Sequence, residues 1–182
     1  MDDQSTVKAL VAYESMFGNT ERVARAVAAG LRLEGVDTTV LDVSRAAVAE
    51  LGDVDLLVVG APTHGFSLSR PATRRDAVRQ GGRDDAAELG MREWLETLAA
   101  EPRLPLVAAF DTRVTKVRYL PASASRRAAR ILDEQGHQLV SAPTGFLVHA
   151  VPGPLEPHEV DRAIAWGRGV AHESRSRLTP AL

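Results

Sequence analysis

Short apolar segments alternate along this chain with segments that carry apolar residues at helical spacing, and this alternation constrains the fold most strongly. Apolar runs occupy residues 7–13, 38–41, 56–61 and 106–110, and an interrupted fifth run covers residues 139–140 and 146–148. Strands separated by helices pair in parallel, because a parallel neighbour requires a crossover connection. Near-continuous apolar strands indicate a sheet covered on both faces. The sequence therefore predicts an α/β fold, a three-layer doubly wound sheet of five parallel strands.

The segments between these runs have amphipathic helical patterns. Val23, Val27 and Leu31 form the first stripe, with Asn19 or Thr20 as the expected N-cap. Further helices are expected at residues 46–51, from a Ser69 cap to about Gln80, at 91–98, at 123–135, and in a closing segment that begins near Val160. We expect the ligand site where the strands end, since ligands bind such sheets outside the carboxyl ends of their strands.

Composition limits the classes of function. The chain has 182 residues, 25% of them charged, with a formal net charge of −2, so we expect one domain over residues 1–182 and no nucleic-acid partner. There are no cysteines, which excludes disulfides, thiol nucleophiles and iron–sulfur clusters. The histidines lack ligand spacing, so no metal site is expected.

The chain start and the hydropathy pattern predict a cytoplasmic protein. Residues 1–4 are acidic and lack the basic region of a secretory signal. No apolar run approaches the roughly 18 residues that a membrane span requires. We therefore expect no membrane span.

The turn after the first apolar run has the chemistry of a phosphate site. In Ser15-x-x-Gly18-Asn19-Thr20, hydroxyl groups can donate, and glycine lets the main chain approach a ligand. Amides at the start of the following helix add the positive end of its dipole. The spacing is neither a Walker loop nor a dinucleotide fingerprint. A helix cap followed by a turn is the alternative interpretation.

Two motifs extend this pattern: Tyr13-x-Ser15-x-x-Gly18-Asn19-Thr20-x-x-Val23-Ala24, and Gly-Ala-Pro-Thr-His-Gly at residues 60–65. The first is similar to the phosphate-binding signature of the flavodoxin family, and the second resembles that family's second flavin loop. The chain is most similar to an actinobacterial-style flavodoxin-domain branch. The resemblance implies the strand order 2-1-3-4-5, with FMN bound at the first switch point.

The same resemblance implies which residues bind the cofactor. The 5′-phosphate is expected at Ser15, Met16, Phe17, Gly18, Asn19 and Thr20, and the two sides of the flavin ring at Pro62, Thr63, His64, Gly65 and Phe66 and at Asp111, Thr112 and Arg113. Phe17, Phe66 and Tyr119 are candidates to stack on the ring. Gly65 permits a peptide beside the flavin to reorient, although a turn glycine is equally consistent with the residue alone.

Charge departs from the strongly acidic pattern that the resemblance leads us to expect of electron carriers. Arg113 near the flavin would raise its midpoint potential, unless it is a solvated surface residue. The helix face carrying Arg70, Arg74, Arg75 and Arg79 is either solvated or receives an anionic donor such as NADPH or an acidic protein.

Three functions remain open. The first is an FMN-binding redox protein that passes electrons to a partner protein without a catalytic acid, base or nucleophile of its own. The second is an enzyme, either an NAD(P)H-dependent quinone reductase with a small acceptor or a protoporphyrinogen-oxidase-like flavoenzyme. The third is a flavin-free binding module. The sequence leaves the oligomeric state open.

Overall fold

The computed structural model describes residues 6–47, 49, 51–100 and 105–179. Five strands lie in this part of the chain: β1 (Lys8–Tyr13), β2 (Asp37–Asp42), β3 (Leu56–Pro62), β4 (Leu106–Val114) and β5 (Thr144–Val148). The α-helices found there are α1 (Asn19–Leu33), α2 (Val43–Ala46), α3 (Pro71–Arg79), α4 (Met91–Thr97), α5 (Ala124–Glu134) and α6 (Glu159–Leu178). Strands and helices therefore alternate as predicted, with α3 and α4 both inserted between β3 and β4.

The strands form one parallel sheet in the order β2-β1-β3-β4-β5. This order confirms the predicted doubly wound topology. Strands β1 and β3 are neighbours at the centre, and the chain winds outward from them in opposite directions. The segments that follow β1 and β3 therefore separate at the carboxyl edge and leave a crevice between them.

Alternate residues of the central strands serve two separate cores. Val11 and Val58 face a core formed with α1 and α6. Ala12 and Val59 face the opposite core, which is formed with α2, α4 and α5. The period of two along each strand places successive side chains on opposite faces, so a strand buried on both faces must be apolar throughout. This confirms the three-layer arrangement.

The start of three helices differs from the prediction. Gly18, with φ 86°, precedes α1, so Asn19 and Thr20 are its first helical residues instead of its cap. Helix α2 begins at Val43 because Asp42 Oδ1 accepts a hydrogen bond from Ser44 N. Residues 48 and 50 of the predicted helix 46–51 lie outside the described residues. Helix α3 begins after Arg70, whose amide donates to Thr73 Oγ1, so Ser69 is not its cap.

The last two strands also differ from the prediction. Strand β4 continues to Val114 because β5 pairs with it from Phe110 to Val114, so residues 111–113 are strand and not loop. In the interrupted fifth run, Leu139 makes only an isolated bridge to Val107, and the strand begins at Thr144. Both differences arise from strand pairing, which apolar periodicity within one segment does not reveal.

Helices α1 and α6 approach each other through two glycines. A Cβ atom on Gly30 would lie 2.2 Å from the carbonyl oxygen of Ile164, and one on Gly167 would lie 2.3 Å from that of Val27. Backbone sets both distances, so no side-chain rotation can relieve them. The absence of a side chain at these positions fixes the spacing of the two helices on one face of the sheet.

We therefore expect Gly167→Ala to lower the free energy of unfolding by about 1–3 kcal/mol, the usual cost of forcing extra volume into a packed core. Gly169→Ala is the matched control, because it lies on the same helix and its Cβ would meet nothing within 4 Å. The control should be neutral or stabilising by up to about 1 kcal/mol through helix propensity. Urea denaturation of both variants measures the difference, and equal stabilities would contradict this account of the α1–α6 contact.

Candidate functional site

The carboxyl ends of β1, β3, β4 and β5 surround a cavity of about 290 Å³, at the lower end of the range for small-molecule sites. The residues that line this cavity and were predicted from the sequence to bind the cofactor are Ser15, Met16, Phe17, Asn19, Thr20, Pro62, Thr63, His64, Gly65, Thr112 and Arg113. The structure thus brings together three segments that are far apart in the chain. Gly18, Phe66 and Asp111 do not line the cavity.

The first wall is the turn between β1 and α1, which the Ser15 hydroxyl organises. Ser15 Oγ accepts hydrogen bonds from the amides of Gly18, at 3.1 Å, and Glu21, at 3.3 Å. Gly18 adopts a left-handed conformation that glycine reaches without steric cost. Ser15 therefore caps the start of α1, the role predicted for Asn19 or Thr20, and its hydroxyl proton remains available to donate.

The amides of Met16, Phe17, Asn19 and Thr20 donate to no acceptor within the described residues. The amides of Asn19 and Thr20 are unpaired because the first amides of a helix have no intrahelical acceptor. Those of Met16 and Phe17 are left over because the turn is closed through Ser15 instead of through their own N–H groups. Four unpaired donors therefore lie in one short turn beside the cavity. Such an array binds anions.

A chain of hydrogen bonds holds the turn to the other two walls. Thr20 Oγ1 lies 2.8 Å from Thr112 Oγ1, and both side chains are buried. The Thr63 amide donates to the carbonyl oxygen of Thr112, at 2.9 Å. Thr63 Oγ1 then accepts from the amide of Ala124 at the start of α5. The relative positions of these walls are thus fixed by specific bonds.

The second wall is a tight turn after β3. His64 N donates to Ser67 O, and Ser67 N donates to His64 O, which closes a two-residue turn over Gly65 and Phe66. Gly65 has φ 52° and Phe66 has φ 67°. Two successive left-handed residues define the turn that hairpins prefer, and phenylalanine is a costly residue there. The turn directs Phe66 away from the cavity lining, with 51% of its surface exposed, and its place beside the ring stays a prediction.

His64 keeps its place in the cavity lining. Burial, and secondarily the charge of Arg74, lower the pKa of its imidazole below the usual value. A histidine with a lowered pKa is neutral at pH 7, so His64 offers the cavity one donor and one acceptor and no charge.

The third wall is the end of β4, where Arg113 is paired and not free. Its Nε lies 2.7 Å from Asp111 Oδ1, and its Nη2 lies 2.6 Å from Asp111 Oδ2. Asp111 is fully buried and also accepts from the amide and hydroxyl of Ser125. The fork-to-fork geometry neutralises the arginine. The predicted rise in potential assumed an unopposed charge, and the structure removes that assumption.

Sequence reasoning missed the rest of the lining. These residues come from α3, from the end of β4 and from the segment around β5: Thr73, Asp76, Ala77, Gln80, Val114, Val148 and Val151. Val114, Val148 and Val151 lie at or just after the carboxyl ends of strands, and that position could have indicated them from the sequence. The placement of α3 over the cavity depends on tertiary packing. The predicted stacking residue Tyr119 is 84% exposed and lies under the Arg118 guanidinium instead.

A buried ionic network supports the cavity from behind. Arg74 is only 1% exposed and binds both oxygens of Glu93, at 3.1 and 3.2 Å, and the hydroxyl of Ser69. The interpretation of Arg74 as a solvated residue is therefore wrong. Glu14, just before the phosphate-type turn, accepts from the Met91 amide with one carboxyl oxygen, while its buried Oε1 has no partner in the part of the chain described.

Burial raises the pKa of the Glu14 carboxyl, and this effect outweighs the hydrogen bonds from Ser69 and Met91 and the charge of Arg74, which lower it. A carboxyl with a raised pKa binds its proton more tightly in the folded protein than in the unfolded chain. It therefore contributes stability below the unfolded value of 4.5, and that contribution is lost as pH rises through the folded value.

We expect Glu14→Gln to raise the free energy of unfolding at pH 7.5 and to flatten its decline between about pH 4.5 and pH 7.5. Glutamine keeps an acceptor for the Met91 amide and cannot ionise. Glu134→Gln, an exposed position on α5, should leave the wild-type pH dependence unchanged. Urea denaturation at several pH values measures both. A Glu14→Gln variant that is less stable at pH 7.5 would show that the ionised carboxylate is required.

The described residues contain no group of three or more histidines and carboxylates placed to bind a metal ion. Among the same residues, no helix has the length and hydropathy to cross a membrane.

Comparison with known proteins identifies the same architecture. The family model described as flavodoxin matches residues 11–79. A flavodoxin from the domain Archaea is 19% identical, with 93% of this chain and 99% of that one covered, at a TM-score of 0.63. Oxidised flavodoxin 2 from Bacillus cereus is 20% identical, with coverages of 92% and 99% and a TM-score of 0.67.

A longer protein carries the same fold as part of its chain. Rubredoxin oxygen:oxidoreductase from Desulfovibrio gigas is 17% identical over 95% of this chain and 37% of its own, at a TM-score of 0.63. The resemblance to the flavodoxin family is confirmed, and the predicted fold and strand order with it.

Proposed function

With a flavodoxin-type fold as the premise, we propose that the chain binds FMN at the carboxyl edge of the sheet and passes electrons between redox partners. The observation that carries this proposal is the set of four unpaired amides in the turn at residues 16–20, next to the cavity. A phosphate group accepts several hydrogen bonds at once and favours the positive end of a helix dipole.

The charges around the turn suit a bound anion. Glu21, the acidic residue in the first turn of α1, is paired with Arg25 at 2.8 Å and with Arg83 at 3.3 Å. Its negative charge is thereby opposed on both sides. Hydroxyl groups of Ser15 and Thr20 add to the amide donors, so a phosphate can be held by neutral groups without an arginine in the turn.

The rest of the cavity suits a flat, mostly apolar ring. Phe17, Pro62 and Val148 supply apolar lining, and Thr63 and Thr112 supply polar groups at fixed positions. FMN, when bound, would supply the redox chemistry by taking up and releasing one or two electrons. The chain itself would anchor the phosphate, orient the ring between β3 and β4, and limit its exposure to water.

An FMN-dependent reductase that uses NAD(P)H is the second candidate. The observation that favours it is a cluster of arginines beside the cavity in a chain of net charge −2, which differs from an acidic electron carrier. A quinone reductase and a protoporphyrinogen-oxidase-like enzyme both belong to this candidate. Steady oxidation of NADPH with a quinone, without an added reductase, would select it.

A flavin-free binding module is the third candidate, and it predicts a colourless protein that takes up no FMN. Such a module would have to fill the anion site formed by the unpaired amides with another anionic ligand or with water.

We expect Thr20→Val to weaken FMN binding about tenfold, since a hydrogen bond to a charged group contributes about 1.5–3 kcal/mol. The same substitution should weaken the binding of riboflavin much less, because riboflavin lacks the phosphate. Quenching of flavin fluorescence measures both affinities in the same protein. Thr39→Val, an exposed change on β2, is the matched control and should leave both unchanged.

Thr112→Val removes the partner hydroxyl of Thr20 from the opposite wall and provides a second variant if Thr20→Val fails to fold. Equal losses for FMN and riboflavin would place the effect at the ring and contradict the phosphate assignment. A wild-type protein that binds neither flavin would overturn the proposed function.

A further inference from the structure

A second cavity, of about 460 Å³, lies beside the first and on the other side of the turn at residues 64–67. Phe66 and Ser67 of that turn form one wall. The opposite wall is formed by residues 121–123 and by the first turns of α5. His64 and Gly65 line the first cavity, so a single two-residue turn separates the two spaces.

The second cavity is strongly cationic. Arg126, Arg127 and Arg130 are among its eight lining residues, and none of those eight is acidic. Arg126 donates to the carbonyl oxygen of Pro121, which holds its guanidinium at the rim. The side chains of Arg127 and Arg130 make no ion pair or hydrogen bond with any other described residue. Two guanidinium groups are therefore left without an acceptor.

These side chains concentrate positive charge around the second cavity. Arg126 and Arg130 stand four residues apart on α5, where like charges face each other and destabilise the helix. Arg92 of α4 lies next to the cluster, since its Nη2 donates to Ser67 Oγ in the cavity wall at 3.1 Å. Burial, and secondarily the charges of Arg127 and Arg70, lower the pKa of its guanidinium. Arg92 also donates to Leu68 O, which fixes the cavity wall. An anion would relieve this repulsion.

Phe66 adds an aromatic surface to these cations. It is held in a left-handed conformation by the two hydrogen bonds of its turn, and half of its surface is exposed. Aromatic side chains stack on nucleobases, whose faces are all flat and polarisable. Arginine forks match the oxygens of a phosphate group. Few chemical classes carry both a flat ring and clustered negative charge.

We propose that this second cavity binds a phosphorylated nucleotide, with the phosphate on Arg126, Arg127 and Arg130 and the base against Phe66. The concave shape favours a small molecule over the broad surface of an acidic protein. The site does not depend on the cofactor. Its use as the docking place of a reducing nucleotide, from which electrons would cross the turn at residues 64–67, rests on the proposed function.

Adenosine 2′,5′-bisphosphate is the probe, because it carries two phosphates and a base but no redox group. Calorimetric titration into protein freed of flavin should show saturable binding to one site. Arg127→Gln and Arg130→Gln should each weaken it about tenfold, as expected for the loss of a charge-assisted hydrogen bond. Phe66→Ala should weaken the bisphosphate but not inorganic phosphate. Arg177→Gln, an exposed change in the last turn of α6, is the control and should have no effect.

Three results would overturn the proposal. The first is no binding of the bisphosphate, or equal binding by the variants and the wild type. The second is inorganic phosphate binding as tightly as the bisphosphate, which would leave a simple anion site. The third is poly-glutamate binding, lost in the arginine variants, without bisphosphate binding, which would indicate an acidic protein partner.

FMN titration of the same variants keeps the two proposals apart. The arginine variants should bind FMN as the wild type does, because neither Arg127 nor Arg130 lines the first cavity. Bisphosphate binding without FMN binding would defeat the proposed function and leave the second site intact. FMN binding without bisphosphate binding would do the reverse.

Discussion

The Ser15 hydroxyl organises the turn on which the candidate site depends. It accepts hydrogen bonds from the amides of Gly18 and Glu21, and these bonds stabilise the turn from β1 to α1 without using the amides of Met16, Phe17, Asn19 and Thr20. Those amides are consequently free to face a ligand. The winding of the sheet reverses between β1 and β3, and this places the turn opposite the ends of β3 and β4. The hydrogen bonds of Ser15 and the strand order of the sheet together create the cavity.

Charge in this molecule is organised by burial. Two ion pairs lie largely out of water and have forked geometry: Arg74 with Glu93 behind the cavity, and Arg113 with Asp111 in its third wall. Such pairs hold elements in register because breaking one leaves an uncompensated buried charge. The arginines of α5 have no such partners. The buried arginines are therefore neutralised, whereas Arg126, Arg127 and Arg130 pair with no carboxylate of the described residues and remain available to an anion.

The architecture could be predicted from the sequence because it depends on periodicity within each segment. Val11, Val58 and their neighbours are apolar without interruption, and that pattern requires a covered parallel sheet. The turn at residues 15–20 could be predicted for a similar reason, since its spacing is local. The resemblance to the flavodoxin family supplied the strand order, which periodicity alone does not determine.

The details that could not be predicted depend on contacts between distant segments. Arg74 and Arg75 have the same appearance in sequence, yet Arg74 meets Glu93 across the insertion between β3 and β4 and becomes buried. The fourth apolar run ends at residue 110, before Asp111 and Arg113, yet pairing with β5 extends the strand and makes these two residues neighbours on one face. Phe66 is turned outward by a backbone conformation that phenylalanine rarely adopts.

The central claim is that the amides of Met16, Phe17, Asn19 and Thr20 hold the phosphate of a bound flavin mononucleotide. An amide proton–nitrogen correlation spectrum of the flavin-free protein, recorded during titration with FMN, observes these four groups directly. The account predicts that their resonances move downfield and that their hydrogen exchange slows as FMN binds, because each gains a charged acceptor. If FMN binds while these four resonances stay in place and exchange as before, the phosphate lies elsewhere and the account is wrong.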